Sequence, residues 1–254
     1  MRKRVVVTGM GCISPVGNDP SSAWQNVTQG KSGVSEITRF DTSEFKTKFA
    51  AQVLDFDPKA LFGPKEARRM DRFAQFAVTA SQQAVQNARL AITDENRERI
   101  GVIIGTGIGG LGTLVENMEI FMQLGPMRVS PFLVPMMLPD TGAAMVAIHL
   151  GLRGPNAAFV TACATGTNAV GEAAEMIRRG QADVILAGGS EAAIVPLAMA
   201  GLNVMTALST RNEDPQRASR PFDRTRDGFV IGEGSAILVL ESLEHAQQRG
   251  AAIL

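Results

Sequence analysis

Three observations predict a layered α/β fold built on a mainly parallel sheet. Short runs rich in Val and Ile recur along the chain, their hydrophobicity is continuous rather than alternating, and helical patterns separate them. Continuous apolar runs suit strands covered on both faces, and the intervening helices supply the covering layers. At 254 residues the chain can bury about three quarters of the surface its unfolded form exposes, without metals or disulfides.

The elements follow in order. The first predicted strand is Arg4–Thr8. Its basic lead, Met1 to Arg4, has the charge of a secretory n-region, but Gly9, Gly11 and Pro15 interrupt the apolar stretch that should follow. A helix is expected to open at Gly63-Pro64 and to carry Ala67, Met70, Phe73, Ala74, Ala77, Val78, Ala84, Val85 and Ala88 on one stripe. Lys65, Arg68 and Arg69 fall in its first turns and Arg72 one turn further. Positive charge there opposes the helix dipole, so these side chains are either a solvated face or the meeting point for an anionic partner.

Ile100–Ile104 is the next strand, and the proline-rich, greasy stretch Gly125 to Thr141 reads as an irregular segment lining a pocket or interface, or as a loop packed on the core. A strand at Ala158–Thr161 leads into a helix from about Ala164 to Arg179, with Ala169, Val170, Ala173, Ala174 and Ile177 inward and Gly180 as its stop. Strands at Asp183–Ala187 and Ser235–Leu240 precede a helix over Leu243–Arg249. Ala251–Leu254 then reads as the opening of a further strand, so the chain is expected to be the front part of a longer protein.

Composition excludes several classes of function. Lys plus Arg and Asp plus Glu both number 25, so no global field attracts nucleic acid or an anionic membrane. No run approaches the about 18 apolar residues of a membrane span. The two cysteines, Cys12 and Cys163, form no CxxC pair and the two histidines, His149 and His245, form no HxxxH set, so no metal is indicated. A soluble, cytoplasmic protein is expected.

Two motifs invite chemistry. Gly105-Thr-Gly-Ile-Gly-Gly110 follows a strand and satisfies the dinucleotide fingerprint, but the acid expected about 20 residues on is missing and the chain heads into prolines there. Cys163 is the sharper signal. It sits where a strand gives way to a long helix, and the positive end of that helix dipole, worth up to about 2 kcal/mol, favours a thiolate. On position alone a buried structural cysteine is the commoner reading. Cys12 lacks such a helix start and reads as structural. His149 lies on an apolar helical stretch and reads as a satisfied, partly buried side chain, whereas His245 reads as solvated.

The segments taken together resemble the β-ketoacyl-acyl carrier protein synthases, most closely the elongating type II enzymes. Matching stretches are Arg4-Val-Val-Val-Thr-Gly-Met-Gly11, Gly105-Thr-Gly-Ile-Gly-Gly-Leu111, Ser130-Pro-Phe132, Gly151-Leu-Arg-Gly-Pro155, Thr161-Ala-Cys-Ala-Thr-Gly166, Ala187-Gly-Gly-Ser-Glu191, Leu208-Ser-Thr210, Ser219-Arg-Pro-Phe-Asp223 and Arg226 through Gly234. They run in order through nearly the whole chain, and the cysteine context displaces the structural reading of Cys163.

The resemblance implies a thiolase-like layered fold, of which this chain is the first of two pseudo-repeated halves, and a homodimer joined through the sheet. It implies decarboxylative Claisen condensation in fatty acid elongation, with Cys163 taking the acyl chain from the phosphopantetheine of acyl carrier protein and no cofactor of its own. A backbone oxyanion hole would include the Cys163 N–H. Ile108 matches a position lining the acyl tunnel, and Phe132 and Leu133 match a segment that closes the tunnel across the dimer. Lys65, Arg68, Arg69 and Arg128 would meet the carrier protein. The loop from Arg220 to Gly234, with mixed charges and glycines, could equally be only a salt-bridged scaffold, and no catalytic role is named for it.

The family's catalytic histidines and lysine match nothing up to Leu254. The chain alone is therefore expected not to condense, and to expose apolar faces that aggregate. A non-catalytic partner akin to a chain-length factor is the other reading; such subunits typically lack the cysteine.

Overall fold

The computed structural model describes residues 3–254; Met1 and Arg2, which begin the basic lead, lie outside the described residues. In chain order the elements are β1 (Val5–Ile13), α1 (Pro20–Thr28), β2 (Ser35–Glu36), β3 (Phe49–Ala50), α2 (Pro58–Ala67), α3 (Arg72–Asn87), β4 (Ile100–Gly105) and α4 (Leu111–Leu124). There follow α5 (Leu133–Met137), α6 (Thr141–Leu150), β5 (Asn156–Ala157), α7 (Thr165–Arg178), β6 (Val184–Glu191), α8 (Pro196–Val204), β7 (Gly234–Ser242) and α9 (Leu243–Gln248).

The main sheet has the order β1-β7-β6-β4-β5. β6, β4 and β5 pair in parallel, while β7 is antiparallel to both β6 and β1. Four of the five strands therefore run one way and β7 alone opposes them, which makes the sheet mainly parallel, as the apolar runs predict.

Alternation along the strands serves two cores. Val102, Ile104, Val184, Leu186 and Val239 pack with α3 and α6 on one face. Ile103, Ile185, Ala187 and Leu240 pack with Ala169, Ala173 and Ile177 of α7 on the other. A strand buried on both faces has no polar side to show, which is why its sequence is continuously apolar. Contact is closest where α3 crosses β1: a Cβ on Gly11 would overlap the Ala80 carbonyl oxygen, and one on Gly9 would stand 2.7 Å from the Ala88 Cβ.

The structure corrects several expectations. The long stripe after Pro64 is two helices. Gly63, at φ +75°, kinks α2, and the turn that Pro64 opens ends at Arg68. Buried Asp71 then caps α3 by accepting from the Phe73 N–H, and also accepts from the Thr113 N–H (2.9 Å) and hydroxyl (2.7 Å) of α4. A capping carboxylate tied to a distant helix overrides the periodicity. Of the basic residues, Lys65 lies in the last turn of α2 and Arg68 is its C-cap, where positive charge suits the dipole, whereas Arg72 is the first residue of α3 and pairs there with Glu233.

Ala158–Thr161 leaves the ladder after Ala157, keeping one bond to the end of β4, from the Thr106 N–H to the Phe159 carbonyl. The stretch from Gly125 to Thr141 is not wholly irregular, since it holds α5 between its prolines. Ala251–Leu254 forms no strand, although the Leu254 N–H reaches the Val7 carbonyl of β1 at 3.0 Å.

Candidate active site

Small residues bring α7 onto the carboxyl ends of β4 and β6. Gly105 and Gly189 face each other in the ladder. A Cβ on Gly189 would stand 3.2 Å from the Gly166 Cα, and one on Gly105 would overlap the Thr165 methyl. The first turn of α7 therefore rests almost on the sheet backbone. The crevice at the carboxyl ends of parallel strands is where ligands bind in open α/β sheets.

Immediately before α7, Ala162–Ala164 makes a 3-10 turn with Cys163 at its centre. Ala162 takes φ +51°, a left-handed conformation that an L-residue adopts only under constraint. The constraint is visible: the Thr161 N–H donates to the Thr165 hydroxyl (2.8 Å), and the Thr161 hydroxyl pairs with the Asn168 side chain (2.8 Å). Cys163 is exposed on this turn.

The turn borders a cavity of about 770 Å³, whose lining includes Cys12, Ile13, Ala51, Gly105 to Ile108, Ala162, Cys163, Glu191, Leu202 and Gly232 to Ala236. The volume falls within the roughly 300–1,000 Å³ of small-molecule sites. Ile108, 48% exposed, lies on its wall.

Phe132 and Leu133 are not on that wall. They sit at the start of α5, where the Arg69 guanidinium stacks on the Phe132 ring, 5.2 Å from its centroid. The contact brings the basic segment beside the stretch that carries Arg128, which ends a 3-10 turn at Pro126–Arg128. Arg68 faces a second cavity, of about 560 Å³, with Arg39, Arg72, Glu116 and Glu119. Lys65 lies one turn before Arg69 in the same segment.

Neither histidine borders the cysteine cavity. His149 bonds the Met145 carbonyl at 2.9 Å and stacks edge-on with Phe62, matching the reading of a satisfied side chain. His245 is not solvated but half-buried, because its Nδ1 lies 2.7 Å from the carboxylate of buried Glu241. The loop ending at Gly234 carries ion pairs, Arg220 with Asp227 and Glu233 with Arg39 and Arg72, and its last residues, Gly232 to Gly234, also line the cysteine cavity.

Two residues of the cavity escaped the sequence reading as site residues. Cys12 lies in its lining; burial pushes the Cys12 thiol up, and a hydrogen bond to Ser14 only partly offsets this. Glu191 accepts from the Gly107 N–H (2.8 Å) and the Thr106 hydroxyl (3.1 Å). An amide of the glycine motif that would cradle a pyrophosphate is thus already committed to a carboxylate. The only sequence signal for Glu191 was its place at the end of the Ala187-Gly-Gly-Ser-Glu191 run.

An exposed cysteine on a constrained turn before a helix, beside a largely apolar void, is the setting a nucleophilic thiol needs. The chain belongs to the β-ketoacyl synthase family, whose N-terminal domain model matches residues 2–246. It is 52% identical to 3-oxoacyl-[acyl-carrier-protein] synthase 2 of Synechocystis, over 99% of this chain and 61% of that protein, and 51% identical to the enzyme of that name from Staphylococcus aureus strain N315 over 99% and 60%. The chain thus spans about three fifths of the length of these relatives.

Among solved structures it is similar to a β-ketoacyl synthase from Burkholderia phymatum, at TM-score 0.87 and 36% identity, covering 99% of this chain and 62% of that one. A ketosynthase bound to a hexaketide, in complex with its type II acyl-carrier protein, is similar at TM-score 0.87 and 35% identity, covering 100% and 61%. The fold is thiolase-like, as these neighbours are. Among the described residues no helix is long and apolar enough to cross a membrane.

Proposed function

We propose that this chain carries the nucleophile of a β-ketoacyl-acyl carrier protein synthase that elongates fatty acids. The observation that carries the reading is the exposure of Cys163 on a constrained turn at the N-terminal end of α7, opening on a cavity of about 770 Å³.

The Cys163 sulfur attacks the thioester carbonyl of an acyl-carrier protein. A sulfur–carbon bond forms, the phosphopantetheine thiol leaves with a proton, and the acyl chain extends into the void past Ile108. Malonyl-carrier protein then loses carbon dioxide, and its carbanion attacks the acyl-cysteine carbonyl and expels the Cys163 thiolate. The backbone closes the turn with the Ala164 N–H on Thr161 and the Thr165 N–H on Ala162, leaving the Cys163 N–H for the tetrahedral oxygen. One such donor is worth about 3–4 kcal/mol.

Lys65, Arg68, Arg69 and Arg128 form the surface that receives the acidic carrier protein. Phe132 and Leu133, outside the lining of this chain's own cavity, close that of the second protomer of a homodimer.

The test is to incubate the protein, as its gene encodes it, with decanoyl-carrier protein and to map the acylated peptide by mass spectrometry. The acyl mass is expected on Cys163 and absent from Cys163→Ala. Condensation by Cys163→Ala, or acylation elsewhere only, would refute the reading.

A further inference from the structure

Glu191, half-buried, differs from the two buried glutamates of the fold. Glu233 is clamped by Arg39 and Arg72, and Glu241 by Arg249 and His245. Among the described residues no salt bridge joins Glu191 to a cation; its donors include the Gly107 N–H (2.8 Å), the Thr106 hydroxyl (3.1 Å), the Ala192 N–H (3.3 Å) and the Ile108 N–H. Burial pushes this carboxyl up, and those bonds only partly offset it. A carboxylate held without a counter-ion is costly unless its donors need it.

Those donors are the glycine loop itself. The Thr106 hydroxyl that donates to Glu191 also accepts from the Gly109 N–H (3.1 Å), so one carboxylate and one hydroxyl fix the loop at both ends of Ile108. The same loop lies against the cysteine turn: a Cβ on Gly107 would stand 2.9 Å from the Glu191 carboxylate and 3.8 Å from the Ala162 Cα. Any shift in the loop therefore changes the space between Ile108 and Cys163.

We infer that Glu191 is a positioning residue: it holds the Thr106–Gly109 loop so that Ile108 shapes the wall of the cavity beside Cys163, and thereby sets which acyl chains fit. The specificity part of this inference rests on the acyl-cysteine reading above; the loop-holding part does not. In Glu191→Gln the amide presents N–H groups to donors that need an acceptor. Thr106→Val removes the shared hydroxyl and leaves the carboxylate in place.

Two measurements test the inference on both variants and the parent. Hydrogen–deuterium exchange of the peptide spanning Gly105 to Gly110 should accelerate at least about tenfold, because hydrogen bonds to charged groups are the stronger kind. Acylation by decanoyl- against hexanoyl-carrier protein should change in ratio at least about threefold, while alkylation of Cys163 by iodoacetamide keeps its rate. Unchanged exchange in both variants overturns the inference. Accelerated exchange with an unchanged acylation ratio overturns the specificity role. A fall in iodoacetamide reactivity along with acylation would show that the carboxylate acts on the thiol instead. If Glu191→Gln does not fold, Thr106→Val decides alone. A parent protein that is never acylated on Cys163 defeats the acyl-cysteine reading, whereas the exchange result still decides the loop.

Discussion

Arg69 lies with its guanidinium carbon 5.2 Å from the centroid of the Phe132 ring, joining the basic segment after α2 to the first residues of α5. Arg69 also pairs with Glu66 at 3.1 Å, but both side chains are about two fifths exposed, so that pair adds little. The stacking should therefore dominate what Arg69 does for the fold. In a double-mutant cycle of Arg69→Ala and Phe132→Ala, read by urea unfolding, a coupling of about 0.5–1 kcal/mol is expected. A coupling near zero would mean that the two segments move independently.

The two cysteines border one cavity yet should react differently. Cys163 is exposed on its turn, while Cys12 is half-buried in β1 with its N–H on Gln83 at 2.9 Å and its thiol pushed up by burial. Access favours Cys163 for alkylation, and burial disfavours the thiolate of Cys12. At pH 7.5 iodoacetamide should modify Cys163 at least about tenfold faster than Cys12, as read by peptide mapping. Equal rates would remove the distinction on which the choice of nucleophile rests.

Periodicity located the central strands Ile100–Gly105 and Val184–Glu191 because both are buried on both faces and so read as continuous apolar runs. The break between α2 and α3 could not be read in that way. It depends on Asp71 reaching Thr113, 42 residues away, and local pattern carries no such information. Cys163 was singled out by the family-like context around it and not by position alone, which favours a buried structural cysteine; the strand expected to lead into it at Ala158–Thr161 is absent from the ladder. Glu191 was not legible, since its role exists only once β6 brings it against the loop after β4. His245 was misjudged for the same reason: its polar helix is exposed, but its ring turns inward to Glu241.

Glycines separate crowded positions from open ones. In Gly11→Ala the new methyl meets the Ala80 carbonyl of α3, a backbone atom that cannot step aside without moving the helix. Gly171, in the exposed middle of α7, has nothing within 4 Å of a built Cβ. Overpacking should make Gly11→Ala less stable by about 1–3 kcal/mol. Gly171→Ala should gain about 0.5–1 kcal/mol from helix propensity. Urea denaturation of both variants measures the contrast, and similar effects of the two would contradict the packing of α3 on β1.

Glu241 predicts the acid limit of the fold. Its side chain is fully buried at the end of β7; burial pushes its carboxyl up, but hydrogen bonds from Arg249, Thr8 and His245 outweigh this and hold it below the ordinary glutamate range. Glu233, likewise buried, is held low by Arg39 and Arg72. A carboxyl depressed in the folded state contributes stability that is fully present above its unfolded pKa, about 4.3, and is lost as pH falls through the folded value. Unfolding free energy should therefore hold steady from neutrality down to about pH 5 as far as these two groups set it, then decline below about pH 4.5. Glu241→Gln leaves Arg249 without its anion and should cost about 3 kcal/mol at pH 7, while making the acid decline shallower. Unfolding curves of parent and variant between pH 3 and 7 provide the check: an equally steep decline in the variant would place the acid-sensitive group elsewhere.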